Sequence, residues 1–438
     1  MLIFEQIIEI IIGRFGDTAT ALSFATLPDP IFTDKQLMDN NPVIVSGGGP
    51  VGLVAALSLA EKGINVVVLE TCTDIPTDLR AGTFHPPTVE MLDTLSIGQD
   101  LLQLGIKVPE WQIRDRKKGL VAQFDLGRIA DETPYPFRLH CEQHKVSRLA
   151  YQALQKFSNA QVLFGHECVG FTQDKEGVTV QIKSGDTTQE VRASYLIGAD
   201  GAHSIVRKTA DIEFEGFTWP ERFLVFATTF DLKSVGFTGN AYIADPDEWA
   251  AIFVQPHNGP PGIYRIAFPI QPDQDEETVL SDDYVQSRIQ GFLSPDRTYD
   301  IPYRSIYRVH QRVAKTFRQG RIMLAGDAAH VNNPLGGMGL NSGIHDAMNL
   351  ADKLGKVLQE NADNDLLDLY DRQRRITNVE YVQAITIRNK KMLEERDPEI
   401  RAQRLDEMRE TAADPEKHRA FLMNSSMINS VRRAAQIE

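Results

Sequence analysis

At 438 residues with 42% hydrophobic content, the chain is long enough to bury a sizeable core, and its length points to two or three structural units. A formal net charge of -14 with no Lys/Arg block argues against a nucleic-acid partner, because phosphate binding needs a clustered basic surface. Cys72, Cys141 and Cys168 are odd in number and far apart, so neither a disulfide framework nor a structural zinc is expected, and no metal site is assigned.

In chain order, residues 1 to about 40 show no strand-turn-helix pattern. The run Ile7, Ile8, Ile10, Ile11, Ile12 is short and carries Glu5 and Glu9 where a signal peptide would carry positive charge. No stretch approaches the roughly 20 apolar residues that span a bilayer. A cytoplasmic protein without membrane association is the expectation. The folded domain is expected to begin near Met38, with the first 37 residues an upstream-start or loose extension and a short amphipathic docking helix the rival reading.

From Val43 the order is strand, Gly-rich turn, helix to about Lys62, then a strand from Asn65 that ends at Glu70. Gly47-Gly48-Gly49-Pro50-Val51-Gly52 is a G-x-G-x-x-G in the context that gives it meaning. Gly47 permits the tight turn, Gly49 admits a pyrophosphate to the helix N-terminus beside Pro50 and Val51, and Gly52 allows close helix-strand contact. Glu70 is placed to accept hydrogen bonds from an adenosine ribose 2'-OH, which suits FAD or NAD rather than NADP.

Further on, the apolar strand from Tyr195 delivers Asp200-Gly201 at a turn, followed by Arg207. The stretch from about Phe223 to Ile270 is rich in Phe, Val, Ile, Thr and Tyr and is broken by turn dipeptides, so it reads as a largely antiparallel sheet. Arg321–Ala325 is another apolar strand, ending in Gly326-Asp327 and leading through Asn333–Met338 to Gly339-Leu340-Asn341 and a helix. Helices are expected to Leu354 and again from about Asp365 to Glu395, and charged helices close the chain.

These three stretches together resemble the G-x-G-x-x-G, D-G and G-D motifs of the para-hydroxybenzoate hydroxylase-like FAD monooxygenases, in that family's order and near its spacing, over about residues 42 to 400. The resemblance implies an α/β fold: a Rossmann-like, glutathione-reductase-type FAD domain with an inserted, largely antiparallel substrate sheet and C-terminal helices. The corresponding division is an extension 1–40, FAD-binding segments 41–115, 140–215 and 315–360, substrate-sheet segments 116–139 and 216–314, and a helical region 361–438. By the same resemblance Glu70 holds the adenosine ribose and Asp327 the ribityl chain. Arg80 lies near the flavin phosphates, Gln143 contacts the flavin, and Asp200, Gly201 and Arg207 serve both FAD and a passing nicotinamide cofactor. Backbone N–H groups of Gly339, Leu340 and Asn341 at a helix start would favour an anionic reduced flavin.

The implied reaction is reduction of FAD by NADH or NADPH, formation of a C4a-hydroperoxide with O2, and hydroxylation of a phenol or a hydroxylated N-heteroaromatic ring. That ring is placed beside Pro334 and Leu335. Tyr242, Gln255, His257, Tyr264 and Arg265 are the polar candidates for the opposite wall. A Ser/Arg pair able to clamp a benzoate carboxylate is missing, and His330 is read as support for the Gly-Asp turn. Trp111, Trp219 and Trp249 are too scattered for the halogenase motif of this fold. A same-fold dehydrogenase or epoxidase, a non-catalytic flavin carrier and an NAD-only dehydrogenase are the other readings. Either a monomer or a homodimer is compatible with the sequence.

Overall fold

The structure, a computed structural model, describes residues 41–77, 82–259 and 262–438. The N-terminal extension and Arg80 lie outside the described residues.

Val43–Ser46 runs at the centre of a six-stranded sheet, between Val66–Glu70 and Tyr195–Gly198, with Ala160–Phe164 and Ile322–Leu324 outside them. These five strands are parallel, and the short Arg318–Gln319 adds antiparallel to Ile322–Leu324. Covered on both faces, the central strands read as unbroken apolar runs; Val43, Ile44 and Val45 are fully buried. Helix Pro50–Glu61 is buried along Gly52–Ala60, since PVGLVAALSLAE is apolar around its whole circumference. Pro50 starts it where a backbone N–H would have no partner. Because the strands are parallel, Ser46, Glu70, Gly198 and Leu324 all end at one edge. The three motif turns therefore emerge together, at the edge where open α/β sheets bind ligands.

The second large sheet has eight strands in the order His330–Val331, Tyr303–Ala314, Phe214–Thr228, Ile263–Ile270, Ala250–Gln255, Asn240–Ala244, Glu110–Asp115 and Gly119–Asp125. Its pairings are antiparallel except that between Asn240–Ala244 and Glu110–Asp115, where Tyr242 stands opposite Ile113. Period-two alternation splits its side chains between two cores. Ile252, Val254, Tyr264, Ile266 and Phe268 face helix Asp282–Gln290, which contributes Val285 and Ile289. On the other side Trp111, Ile113, Phe124, Tyr242, Ala251 and Ala267 meet Leu393, Leu405, Leu422 and Met423 of the C-terminal helices.

Those helices run Asp365–Thr377, a π-helical turn Asn378–Gln383, Ala384–Leu393, Pro398–Ala413, Pro415–Ser425 and Ile428–Gln436. Asp397 and Asp414 each cap a helix whose first residue is proline, so an Asp-Pro-Glu signature twice sets a helix start. The last segment packs on its own chain: Arg419 bonds Asp131 at 2.6 and 2.8 Å, and Gln373 donates to the carbonyl of Ile437. Among the described residues no helix is long and apolar enough to cross a membrane, and no cluster of His, Cys, Asp or Glu could hold a metal ion.

Candidate active site

At the edge of the parallel sheet lies a cleft of about 780 Å³, lined by Gly47–Val51, Glu70, Gln143, Asp200, Gly201, Gln255, Arg265, Asp327, Pro334, Gly337, Met338, Gly339 and Leu340 among others. Gly47 has φ +107, and a Cβ there would lie 2.4 Å from the carbonyl oxygen of Ala199; one on Gly52 would lie 2.0 Å from that of Gly47. At Gly49 a Cβ would meet nothing within 4 Å. The first and third glycines are thus needed by the protein's own packing, whereas the second opens onto empty space at a helix N-terminus. Such a cradle fits a pyrophosphate.

Glu70 Oε2 accepts the N–H of Gly48 at 2.7 Å and Oε1 that of Cys72 at 2.8 Å, fixing the carboxylate at the cleft wall. Asp200 Oδ2 accepts from the N–H groups of Ile205 and Val206, while the buried Oδ1 has no hydrogen-bond partner. Asp327 sits in a one-turn 3-10 segment, Gly326–Ala328, braced from behind. Gly326 N–H donates to Asp346 Oδ2 at 3.0 Å, the same oxygen meets His330 Nε2 at 2.7 Å, and Arg374 Nε donates to Asp346 Oδ1 at 2.7 Å. Burial works against the charge of Asp346, but His330 and Arg374 outweigh it and hold the carboxyl below its usual range.

Several expected site residues are placed elsewhere. The guanidinium of Arg207 donates to the carbonyls of Ala328 and Ala202 and stacks 3.8 Å from the Phe214 ring, so it ties the two aspartate turns together outside the cleft lining. The Asn341 side chain, fully buried, donates to the carbonyls of Thr83 and Gly337 and accepts the N–H of His85, so only its backbone N–H is left for the expected role at the helix start. Tyr264 and Arg265 are adjacent on one strand and must face opposite ways. Arg265 and Gln255 reach the cleft, whereas Tyr264 points into the other core and bonds Asp231 at 3.2 Å. His257 is exposed in the following turn, and Leu335 is buried in the core beneath Pro334.

Tyr242 lines a second chamber of about 400 Å³, and Met338 lines both this chamber and the cleft. Trp111, Ile113, Arg138 and Tyr242 form its sheet wall, and Ile387, Met392, Leu393, Met408 and Phe421, together with the charged Arg388, Lys391, Arg404 and Glu407, its helical wall. Arg138 is only 2% exposed, yet it makes no ion pair with any described carboxylate. It bonds Asn240 Oδ1 and lies 4.8 Å over the Trp111 ring, leaving Nε unpartnered. Burial lowers the Arg138 pKa from its usual value and raises that of Tyr242, the latter opposed by the Arg138 charge. Nearby His140, bonded through Nδ1 to the Val254 carbonyl, is pushed down to about 3 by burial and stays neutral. Sequence reasoning missed Arg138 and the helical wall. A lone arginine in a three-residue strand and apolar residues in charged helices carry no distinguishing local signal.

A family described as FAD binding domain matches residues 40–384. The chain is 33% identical over 398 residues to the para-nitrophenol 4-monooxygenase of Pseudomonas sp. (strain WBC-3), covering 89% of this chain and 96% of that one. To 6-hydroxy-3-succinoylpyridine 3-monooxygenase of Pseudomonas putida (strain DSM 28022 / S16) it is 32% identical, over 78% of this chain and 86% of the relative. The crystal structure of p-nitrophenol 4-monooxygenase from Pseudomonas putida DLL-E4 superposes with a TM-score of 0.84 at 32% identity, covering 90% of this chain and 98% of that chain. The flavin-dependent monooxygenase PieE, solved with FAD and substrate, does so at 0.73 and 25% identity, over 90% of this chain and 72% of its own. With the cradle, the braced aspartate turn and the adjoining aromatic chamber in place, this chain belongs to the FAD-binding family of aromatic monooxygenases and is an FAD-dependent aromatic monooxygenase.

Proposed function

We propose that the chain hydroxylates an anionic phenol or hydroxypyridine held in the second chamber, using NADH or NADPH and O2. The observation that carries this reading is Arg138. A guanidinium taken out of water without a carboxylate is costly, and an anionic oxygen of a bound ring would compensate it. The walls of Trp111, Ile113, Met392, Leu393 and Phe421 supply the flat apolar enclosure that an arene needs. The two relatives are named for a nitrophenol and a hydroxypyridine, rings that each carry a hydroxyl and a second oxygen-bearing substituent.

In this reading segments 41–109, 140–215 and 315–360 hold FAD, the expected boundary at 115 moving to 109 because Glu110–Asp115 pairs into the eight-stranded sheet. Gly49 and the start of helix Pro50–Glu61 receive the pyrophosphate, Glu70 the adenosine ribose, and Asp327 the ribityl chain. Gln143 and the backbone of Gly339 and Leu340 border the flavin, and Asp200 Oδ1 accepts a hydrogen bond from FAD or the visiting nicotinamide cofactor. Segments 110–139 and 216–314 present Arg138 and Tyr242 to the ring. When bound, the reduced flavin supplies activation of O2. Overall, a ring C–H, O2, NAD(P)H and a proton give a ring C–OH, NAD(P)+ and water. The chain's own groups orient the ring at Pro334, hold its oxygen as an anion through Arg138 and Tyr242, and exclude water with the apolar walls. An ionised hydroxyl makes the ortho and para carbons nucleophilic enough to take the oxygen. We place the enzyme in the cytoplasm, as a monomer or homodimer.

The test is NADH and NADPH oxidation by the FAD-loaded protein against phenols, hydroxypyridines and hydroxyquinolines, with products weighed. Ring-stimulated oxidation and a product one oxygen atom heavier are expected. Oxidation that no ring stimulates, or that yields only hydrogen peroxide across the panel, would replace this reading with that of a flavin oxidoreductase that does not hydroxylate arenes.

A further inference from the structure

Gln311 is a glutamine in the long strand Tyr303–Ala314 and is 2% exposed. Its Oε1 accepts from Asn333 N–H at 3.2 Å, Asn333 Nδ2 at 3.1 Å and Trp219 Nε1 at 3.3 Å. Its Nε2 donates to Gln383 Oε1 at 2.6 Å and to Thr386 Oγ1 at 3.0 Å. Both amide hydrogens and the oxygen are engaged, as a buried amide requires.

The partners belong to two elements. Gln383 ends the π-helical turn Asn378–Gln383 and also donates to Asn378 Oδ1 and the Val331 carbonyl, while Thr386 follows in the next helical turn. Asn333 precedes Pro334, and its Oδ1 accepts the N–H of Leu335 at 3.1 Å, so its side chain brackets the proline. On the far side Asn389 Nδ2 donates to the Leu335 carbonyl at 3.1 Å. The residues flanking Pro334 are thus tied to helical segment 378–389 from both sides, and the extra residue of a π turn sets where that segment's side chains point.

We propose that Gln311 is a positioning residue for ring oxidation: its amide fixes the Asn333-Pro334-Leu335 loop against the π turn and so sets the ring's approach between cleft and chamber. This inference rests on the proposal that the ring reacts beside Pro334. Since reaction geometry is steep in distance, a loosened loop should let reduced cofactor and O2 yield hydrogen peroxide in place of hydroxylated ring.

The test uses Gln311→Leu and the near-isosteric Thr386→Val, which removes one acceptor of the Gln311 amide. For FAD-loaded protein, hydroxylated product per NAD(P)H consumed should fall about tenfold or more in Gln311→Leu, with hydrogen peroxide making up the difference. KM should change far less, and the ring-induced change in the flavin absorption spectrum should be altered. Thr386→Val should move both readouts in the same direction by less, and it decides the matter alone if Gln311→Leu does not fold. Wild-type coupling and a wild-type difference spectrum in a folded, FAD-loaded Gln311→Leu, or in Thr386→Val where that protein is lacking, would overturn the role. A wild-type enzyme that forms no hydroxylated ring at all would instead remove the hydroxylase reading beneath it.

Discussion

Asp346 accepts the backbone N–H of Gly326 at 3.0 Å, reaching back from helix Gly339–Gln359 to the turn that presents Asp327. Its other oxygen holds Arg374, and all three groups of the Asp346–His330–Arg374 cluster are buried. The pair is therefore structural in position but sits directly behind the cofactor cleft.

Asp346→Asn should cost about 3–5 kcal/mol, because the buried Arg374 charge loses its counter-ion. The Asp346 carboxyl is held below its ordinary value, so its contribution is present in full above about pH 4, near the unfolded pKa, and is lost as pH falls through the folded value. Denaturation midpoints of the two proteins should accordingly converge on acidification below about pH 4. A constant gap through that range would show that the charge of Asp346 is not what stabilises the turn.

The glycines of the first motif should separate by assay. Gly49→Val should fold with a melting temperature near that of FAD-free wild type but purify with little FAD, since its side chain enters space that only a ligand would occupy. Gly52→Ala should lower the melting temperature itself, its Cβ being driven onto the Gly47 carbonyl. Asp327→Ala should also lose flavin with the fold largely intact. Flavin absorbance per mole of protein, read beside the melt, distinguishes them, and unchanged flavin content in Asp327→Ala would contradict its role.

Replacing Arg138 tests the chamber. In Arg138→Met the KM for phenols ionised at the assay pH should rise about 10- to 100-fold, the worth of one hydrogen bond to a charged group, with little change for neutral rings. Stability should be unchanged or higher, because a buried cation that pairs with no described carboxylate is replaced by an apolar side chain of similar length. A large drop in melting temperature with unchanged KM would mark Arg138 as a structural residue only.

Buried histidines set an acid limit. His140 and His345 are both pushed down to about 3 by burial. Their unfolded values lie near 6.5, so between about pH 6.5 and pH 3 the unfolded chain binds protons that the fold refuses. Stability is thus greatest above that window and falls on acidification by up to about 1.4 kcal/mol per pH unit for each histidine. His345→Gln keeps a partner for Thr88, which bonds His345 Nε2 at 2.9 Å, and should flatten urea midpoints across pH 6 to 4. An unaltered slope would mean that His345 is not the group titrating.

The gathering of the motif residues at one cleft was legible in the sequence because their signals are local. A strand, a glycine turn and a helix N-terminus lie within Val43–Glu61, and each aspartate turn directly follows an apolar strand, so motif order was enough to bring Gly49, Glu70, Asp200 and Asp327 to one edge. Parallel pairing does the rest, because it puts every strand's C-terminal end on the same side. Local signals could not say which face of the second sheet looks inward. Tyr264 and Arg265 differ by one position, and only the packing of helix Asp282–Gln290 against one face decided that Arg265 meets the cleft. The chamber is entirely a tertiary product. Trp111 and Tyr242 meet through the parallel pairing of Glu110–Asp115 with Asn240–Ala244, and Met392 and Phe421 arrive on helices about 150 residues or more later in the chain. Arg138 becomes informative only when burial removes its water and no described carboxylate replaces it, a relation between distant segments that no single stretch of sequence contains.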